Sequence, residues 1–322
     1  SVVSTASLSS APRPFRFSVM SSGASSAQAW RSLVRQIDDM GFDVLHVPQH
    51  RGTKGFGPVA ALASAAEISS RLRLGSLVFD NESTHPALLA KDLATIDLIS
   101  DGRLEVGIGA GWLPADHEPL GQAFPSAGER IDKLMEAVEV LRACWTQPVA
   151  SYAGKHYQLN ELANDPLPVQ QPHPPLLIGG GGKRVLTYAA RAANIVSLVP
   201  NMSAGKVGRE SAANATGAAT SEKLQWVRDA AGSRFNEIEL HTNVTNVFIT
   251  NDRLPMMEKL ARGYGLENQQ DVFAIPHVVL GTVEQCAEQI LQRRVETGIS
   301  HYTVFESGLA DFGPILQLLA GK

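Results

Sequence analysis

The sequence predicts an α/β fold, a closed TIM-type (β/α)8 barrel with insertion segments, and three observations predict it. Strand and helix signals alternate from end to end. Eight strands can be counted, each with a helical segment behind it. The chain's 322 residues suit one barrel of about 250 residues that carries insertions. A doubly wound open sheet is the competing arrangement, because strand count alone does not close a ring. No internal repeat or low-complexity linker marks a second domain. Residues 13–322 therefore read as one domain behind a Ser- and Ala-rich tail, 1–12, that is expected to be disordered.

The first strand is read over 15–20. A helix follows, with Trp30, Leu33, Val34, Ile37 and Met40 at helical spacing and Gly41 as its stop. The second strand is 44–47, the next helix 58–70, and the third strand 72–79. Pro86 opens a helix at its first turn, where a missing N–H costs nothing, and Ser100-Asp101-Gly102 ends it. Residues 104–109 form the fourth strand. Ser126 and Glu129 have the spacing of a capping box, and Ile131, Leu134, Val138, Leu141 and Trp145 lie on one stripe of the helix behind it. From 146 to 175 periodicity is lost and prolines accumulate, which reads as a long excursion. The fifth strand is 176–179, followed by a helix over 183–193, and the sixth strand is 194–199. Small polar residues over 201–221 read as a mobile loop, followed by a helix over 223–231 and a seventh strand over 237–249. Thr282 and Gln285 form a second capping box, whose helix runs to Gly298. The eighth strand is 301–305, and the last helix spans 312–319.

Hydrophobic residues at 44% and charged residues at 19% describe a chain that buries a large core. A net charge of -4 with no basic block excludes a general nucleic-acid binder. No apolar run approaches the ~20 residues of a membrane span. Cys144 and Cys286 fall in helical patterns far apart in sequence, so neither a disulfide framework nor a thiolate metal site is expected. A soluble protein of the reducing cytoplasm fits them.

In such a barrel, function sits at the C-terminal strand ends. That rule selects Gln49, His50, Asp80, Asn81, Ala110, Gly111, Trp112, Gly179 to Gly182, and Glu306, the last on position alone. Gly179-Gly180-Gly181-Gly182-Lys183-Arg184 joins a strand to a helix. Its amides can converge on one anion, helped by the helix N-terminus and two cations. It has neither the Walker A order nor the Rossmann spacing, and phosphate binding is favoured over a plain flexible turn. Gly107-Ile108-Gly109-Ala110-Gly111-Trp112 admits two equal readings, close approach of a flat ring or tight packing inside the barrel mouth. His50 at a barrel mouth suits general acid or base work, against the ordinary alternative of a structural histidine. His46 is four residues away, but a strand does not converge that pair as a helix would. Asp116-His117-Glu118 reads as a solvated loop in preference to a metal site, since no partner cluster has ligand spacing. There is no Gly-x-Ser-x-Gly elbow and no Cys–His pairing in a recognisable context.

Several motifs together carry a resemblance. They are Leu74-Gly75-Ser76, His85-Pro86 with Leu89-Ala90-Lys91, Ser100-Asp101-Gly102-Arg103-Leu104, the 107–112 run, Gly128-Glu129-Arg130, Leu141-Arg142-Ala143-Cys144-Trp145, Pro175-Leu176-Leu177-Ile178-Gly179-Gly180 and Ala189-Ala190-Arg191-Ala192-Ala193. From about residue 15 to the last helix the chain resembles the luciferase-like monooxygenase superfamily, and within it the F420-dependent oxidoreductases. The resemblance implies a TIM-like barrel that binds F420 or FMN, works on a small organic molecule and forms a homodimer. It implies a bulged third strand with a non-prolyl cis peptide at Leu77-Val78 supporting the cofactor ring, with Asp80 as a polar contact. It also implies contacts from Ala110 and Gly111, and phosphate binding by Gly180, Gly181, Gly182, Arg184 and Val185.

Similarity to the branch's sugar-phosphate dehydrogenases places His50 on their active-site histidine. Trp112 stands where they have an acidic catalytic residue, and Gln49 replaces an Asp, which argues against sugar-phosphate oxidation. Trp112 can instead wall the substrate pocket by stacking. The expected activity is F420-dependent hydride transfer, with His50 the leading proton donor or acceptor. The alternatives are an FMN-dependent monooxygenase and a non-catalytic barrel with an altered cofactor site.

Overall fold

A computed structural model describes residues 12–51 and 54–322 of the chain. Apart from Pro12, the expected disordered tail lies outside the described residues. The elements run β1 Arg16–Met20, α1 Ala27–Asp39, β2 Val44–Val47, α2 Pro58–Ile68, β3 Arg73–Ser76, β4 Phe79–Asp80, α3 Pro86–Ile99 and β5 Leu104–Gly109. Then come α4 Ala127–Thr146, β6 Val149–Ala153, β7 Gln158–Ala163, β8 Leu176–Gly180, α5 Lys183–Ala192, β9 Ile195–Leu198, α6 Arg209–Ala213 and α7 Gly217–Ala231. The rest are β10 Glu239–Val244, β11 Asn246–Ile249, α8 Leu254–Tyr264, β12 Val278–Gly281, α9 Val283–Thr297, β13 His301–Phe305 and α10 Leu309–Leu319.

Eight parallel strands close a ring. β1 pairs with both β13 and β2, and at the other side β5 pairs with β8 and with the third barrel strand. That third strand comes in two pieces: Leu74 of β3 registers with Leu104, and Phe79 of β4 with Ile108. This pairing decides for a barrel and against an open sheet. The expected cis peptide joins Leu77 to Val78 between the two pieces.

Residues facing outward from the ring, such as Phe17, Val19, Tyr302 and Val304, pack with the helices into one apolar core. Many inward-facing residues are polar, beside the apolar Val44, Leu177 and Ile195. His46 and His241 both bond the Thr303 hydroxyl, at 3.0 and 2.7 Å, and His241 also bonds Ser197 at 2.8 Å. His301 bonds Ser18 at 2.6 Å and Glu239 at 2.8 Å. At the N-terminal end of the ring, Arg16 makes a two-pronged contact with Glu105, which also receives Arg73. Burial without partners would cost each polar group several kcal/mol, so these pairings are what makes a polar barrel interior tolerable.

Four expectations change. The 146–175 excursion holds an antiparallel hairpin, β6–β7, whose exposed faces give no apolar alternation to read. Its turn is pinned to α4, because the Glu136 carboxylate accepts from the amides of Lys155, His156 and Tyr157 at 2.9, 2.8 and 3.1 Å. Replacing Glu136 by Ala is expected to speed hydrogen exchange of those three amides by about tenfold while barrel-strand protection stays unchanged. Next, residues 201–221 are not wholly loop, since they contain α6 and the start of α7, capped by Thr216. Alanines there favour helix over the loop that small polar residues suggested. The expected seventh strand splits at Thr245: β10 stays in the ring, while β11 leaves it to pair in parallel with β12. Finally, Ser126 accepts from the Glu129 amide as one half of the expected capping box, whereas Thr282 and Gln285 form the box in both directions.

Candidate active site

The C-terminal strand ends gather the residues selected from sequence onto one rim. Across the break in the third strand, Gly107 and Gly109 of β5 leave room that a side chain would fill. A Cβ at Gly107 would lie 2.0 Å from the Ser76 carbonyl oxygen, and one at Gly109 would lie 2.8 Å from Val78 Cγ2. The packing reading of these two glycines therefore holds. Gly111 is different: its φ is +79°, and a Cβ there would meet Asp80 Oδ1 at 2.6 Å. Its carbonyl accepts from Arg130, whose guanidinium lies 4.0 Å over the Phe124 ring.

Asp80 is buried and fixed on several sides. Its amide donates to Gln49 Oε1 at 2.8 Å, its Oδ1 accepts from the Glu82 amide, and its Oδ2 bonds His117 Nε2 at 2.9 Å. His50 stands beside it at the end of β2. Its Nδ1 lies 2.8 Å from Asp116 Oδ2, and its ring meets the Trp112 ring edge-on at 6.0 Å. Asp116 and His117 are 4% and 1% exposed, which overturns the solvated-loop reading for those two, while Glu118 is exposed as expected. Adjacent in sequence, the two side chains reach different strands, one holding His50 and the other Asp80. Among the described residues, no group of three His, Cys, Asp or Glu could hold a metal ion.

The glycine run lies at the same rim, at the end of β8. Gly180 packs on Val185, where a Cβ would come within 2.3 Å of Cγ1, and Gly181 packs on the Asn201 backbone, where it would come within 2.2 Å of the amide nitrogen. Gly182 precedes α5 and caps it with no side chain, so the first-turn amides of that helix are left for an outside partner. Lys183 and Arg184 are exposed. Arg184 is engaged across the rim, by the Gly128 carbonyl at 3.0 Å and by Asp132. The Val185 side chain belongs to the core, so only its backbone is available at the rim.

Sequence reasoning missed three supports. Ser21 at the end of β1 donates to Glu306 at 2.6 Å. Asn201 seats Gly181. Lys223 reaches under the rim to the carbonyls of Val199 and Asn214, at 2.9 and 2.7 Å, and burial pulls its ammonium down to about 8. Two clefts, of about 420 and 690 Å³, lie outside the strand ring, beside α9 and between α3 and the hairpin, and neither takes in the rim residues above.

The model of the luciferase-like monooxygenase family matches residues 13–245. The chain belongs to that family. Among curated relatives it is 36% identical over 149 residues to an uncharacterized protein of Mycobacterium tuberculosis, a match covering 46% of this chain and 51% of that one. It is 34% identical over 109 residues to the FMNH2-dependent dimethylsulfone monooxygenase of Pseudomonas putida, covering 34% and 30%. It is 30% identical over 162 residues to the F420-dependent glucose-6-phosphate dehydrogenase of Amycolatopsis mediterranei, covering 48% of each. The chain spans about half the length of the curated relatives it matches, or less. In fold it is similar to the coenzyme F420 dependent tetrahydromethanopterin reductase of Methanopyrus kandleri, with a TM-score of 0.74 at 16% identity over 94% of this chain and 97% of that one. The Pseudomonas putida relative is named for FMNH2 and the Amycolatopsis mediterranei relative for F420, so these two differ in cofactor. No helix among the described residues is long and apolar enough to cross a membrane.

Proposed function

We propose that the chain is an F420-dependent oxidoreductase that moves a hydride between C5 of the deazaflavin and a small organic substrate, in the cytoplasm and as a homodimer. The observation that carries this reading is the meeting, on one rim, of a broken third strand with the uncapped N-terminus of α5. The residues present fit the group. The Leu77–Val78 backbone offers a ledge for a flat ring, Asp80 is held rigid behind it, and Ala110 and the side-chain-free Gly111 leave the approach open. Gly180, Gly181 and Gly182 with the first-turn amides would hold the phosphate. Lys183 supplies positive charge there, and Arg184 supplies what its pairing with Asp132 leaves. When bound, the deazaflavin supplies a carbon centre for hydride transfer and activates oxygen poorly, which favours reduction or dehydrogenation over oxygen insertion.

The protein's own part is positioning and proton transfer. His50, partly exposed at the mouth, gives a proton to the substrate or takes one from it. Trp112 stands edge-on to it and walls the substrate side. A second reading, FMN-dependent monooxygenation, is favoured by the relative from Pseudomonas putida. Reconstitution of the purified protein with each cofactor, followed by fluorescence titration, separates the two. F420 is expected to bind at micromolar concentration and FMN much more weakly. Tight FMN binding with none for F420 would reverse the assignment. Absence of binding by either at millimolar concentration would leave a barrel that has lost its cofactor.

A further inference from the structure

The interlock between the loop after β5 and the ends of β2 and β4 carries more than placement. Asp116 uses both of its oxygens on one target: Oδ2 on His50 Nδ1 at 2.8 Å, and Oδ1 on the next amide, Arg51 N–H, at 2.9 Å. Its side chain is 5% exposed, while that of His50 is 31% exposed, so the carboxylate sits behind the imidazole on the protein side. An ionised carboxylate can only accept, so a neutral His50 bonded to it carries its proton on Nδ1. Nε2, at the other edge of the ring, is held by no hydrogen bond among the described residues and belongs to a ring with access to the mouth.

We infer that Asp116 is the positioning residue that fixes the tautomer and direction of His50, leaving Nε2 as the atom that exchanges protons with the substrate, an inference that rests on the oxidoreductase reading above. In a reduction, the deazaflavin held at the rim would supply a hydride to the carbon of a polar double bond and would itself be left oxidised, and the protein's own residues supply the proton. The heteroatom takes the Nε2 proton of imidazolium, and one π bond is lost. His50 leaves the step as neutral imidazole, still carrying its Nδ1 proton against Asp116, whose protonation does not change. In the reverse direction, Nε2 accepts the substrate hydroxyl or amine proton. The second pair, His117 with Asp80, ties the end of β4 to the same turn that holds this histidine, because residues 116 and 117 are neighbours in it. Enones and imines suit this step, because the oxygen or nitrogen of the polar double bond takes up the proton as its carbon framework accepts the hydride.

The deciding experiment is long-range proton–nitrogen NMR on the full chain labelled at histidine nitrogen, with His50 assigned by its loss in His50→Gln. At a pH where the ring is neutral, the His50 signal is expected to show the Nδ1–H form alone. In Asp116→Asn, whose amide can either donate or accept, a mixture or the Nε2–H form is expected. A wild-type His50 in the Nε2–H form overturns the inference, and needs only the His50→Gln assignment variant, with no change at Asp116. For catalysis, Asp116→Asn is expected to lower kcat about a hundredfold on the best substrate of an enone and imine panel, with F420 affinity within about twofold of wild type. Asp116→Glu should recover part of the rate. In the His50→Gln background the same Asp116→Asn change should cost nothing further, whereas a purely structural role for Asp116 would lower the rate again. Failure of wild-type protein to bind F420 would count against the oxidoreductase reading and leave the tautomer result standing. Binding with unchanged kcat in Asp116→Asn would count against Asp116 alone.

Discussion

Acidification is expected to unfold this barrel cooperatively within about two pH units below the ordinary histidine range. His46, His241 and His301 stand inside the ring at 1%, 0% and 0% exposure, with ring centroids 4.7 to 6.1 Å apart. Burial holds all three well below their ordinary value. The Arg16 guanidinium pushes each the same way, as do neighbouring histidines for His46 and His241. Glu239 of β10 favours the charged form, but Arg16 draws on the same carboxylate oxygen, and Glu105 of β5 is occupied by Arg16 and Arg73. Burial also takes His277 down to about 4.

The sign follows from proton counts. Below the unfolded value near 6.5 the unfolded chain binds protons that the native barrel does not, so stability is present above that pH and lost as pH falls. Each such histidine contributes a slope of about 1.4 kcal/mol per pH unit, and three together about 4 kcal/mol per unit. Against a typical total of roughly 5–15 kcal/mol, that slope exhausts the native state quickly. Circular-dichroism melts between pH 7 and 4.5 test it. A Tm that stays level across that range would show that the interior histidines take up protons in the folded state. Replacing His241 with Gln, which can still bond Ser197 and Thr303, should reduce the slope by about a third.

The same interior shows where sequence reading succeeds and stops. The strands at 44–47, 104–109 and 301–305 have the bounds read from sequence, because buried parallel strands are short runs between turn signals. In His301-Tyr302-Thr303-Val304 the polar residues alternate with apolar ones at period two, so an inward polar face was visible in principle. Its partners were not, since Ser18, His46, Glu239 and His241 come from three other strands of the ring, β1, β2 and β10. His46 and His50 illustrate the point: four residues apart, one bonds Thr303 inside the barrel and the other Asp116 at the rim. Asp116 and His117 looked like solvated loop because their partners lie 66 and 37 residues upstream. The β6–β7 hairpin was hidden for a plainer reason: its faces are mostly exposed, so it carries no apolar alternation by which strands are recognised. β12 is a short buried apolar run, Val278–Gly281, that the sequence reading passed over.

Replacing Gly107 with Ala is expected to be among the most damaging single substitutions in the chain. Ordinary overpacking costs about 1–3 kcal/mol because side chains can turn aside. At Gly107 the obstacle is backbone: the added methyl would lie 2.0 Å from the Ser76 carbonyl oxygen, with Val78 Cγ1 3.3 Å away. β5 cannot retreat from it, because Gly107 is in register with Leu177 of β8 on the other side. β3 cannot retreat without breaking Val44–Val47 of β2, with which Ser76 is itself in register. The two strands must separate at the point where the third strand breaks, and a loss of about 3 kcal/mol or more follows, lowering Tm by roughly 6 °C or more. Cofactor affinity should fall with it, because the ledge at Leu77–Val78 rests on this glycine. Gly263→Ala is the matched control. It adds the same methyl to an exposed helical position with nothing within 4 Å, and should leave Tm unchanged or slightly raised. Equal melting of the two variants would mean that the broken strand is free to move away from β5, and the rigid seat argued for the cofactor ring would go with it.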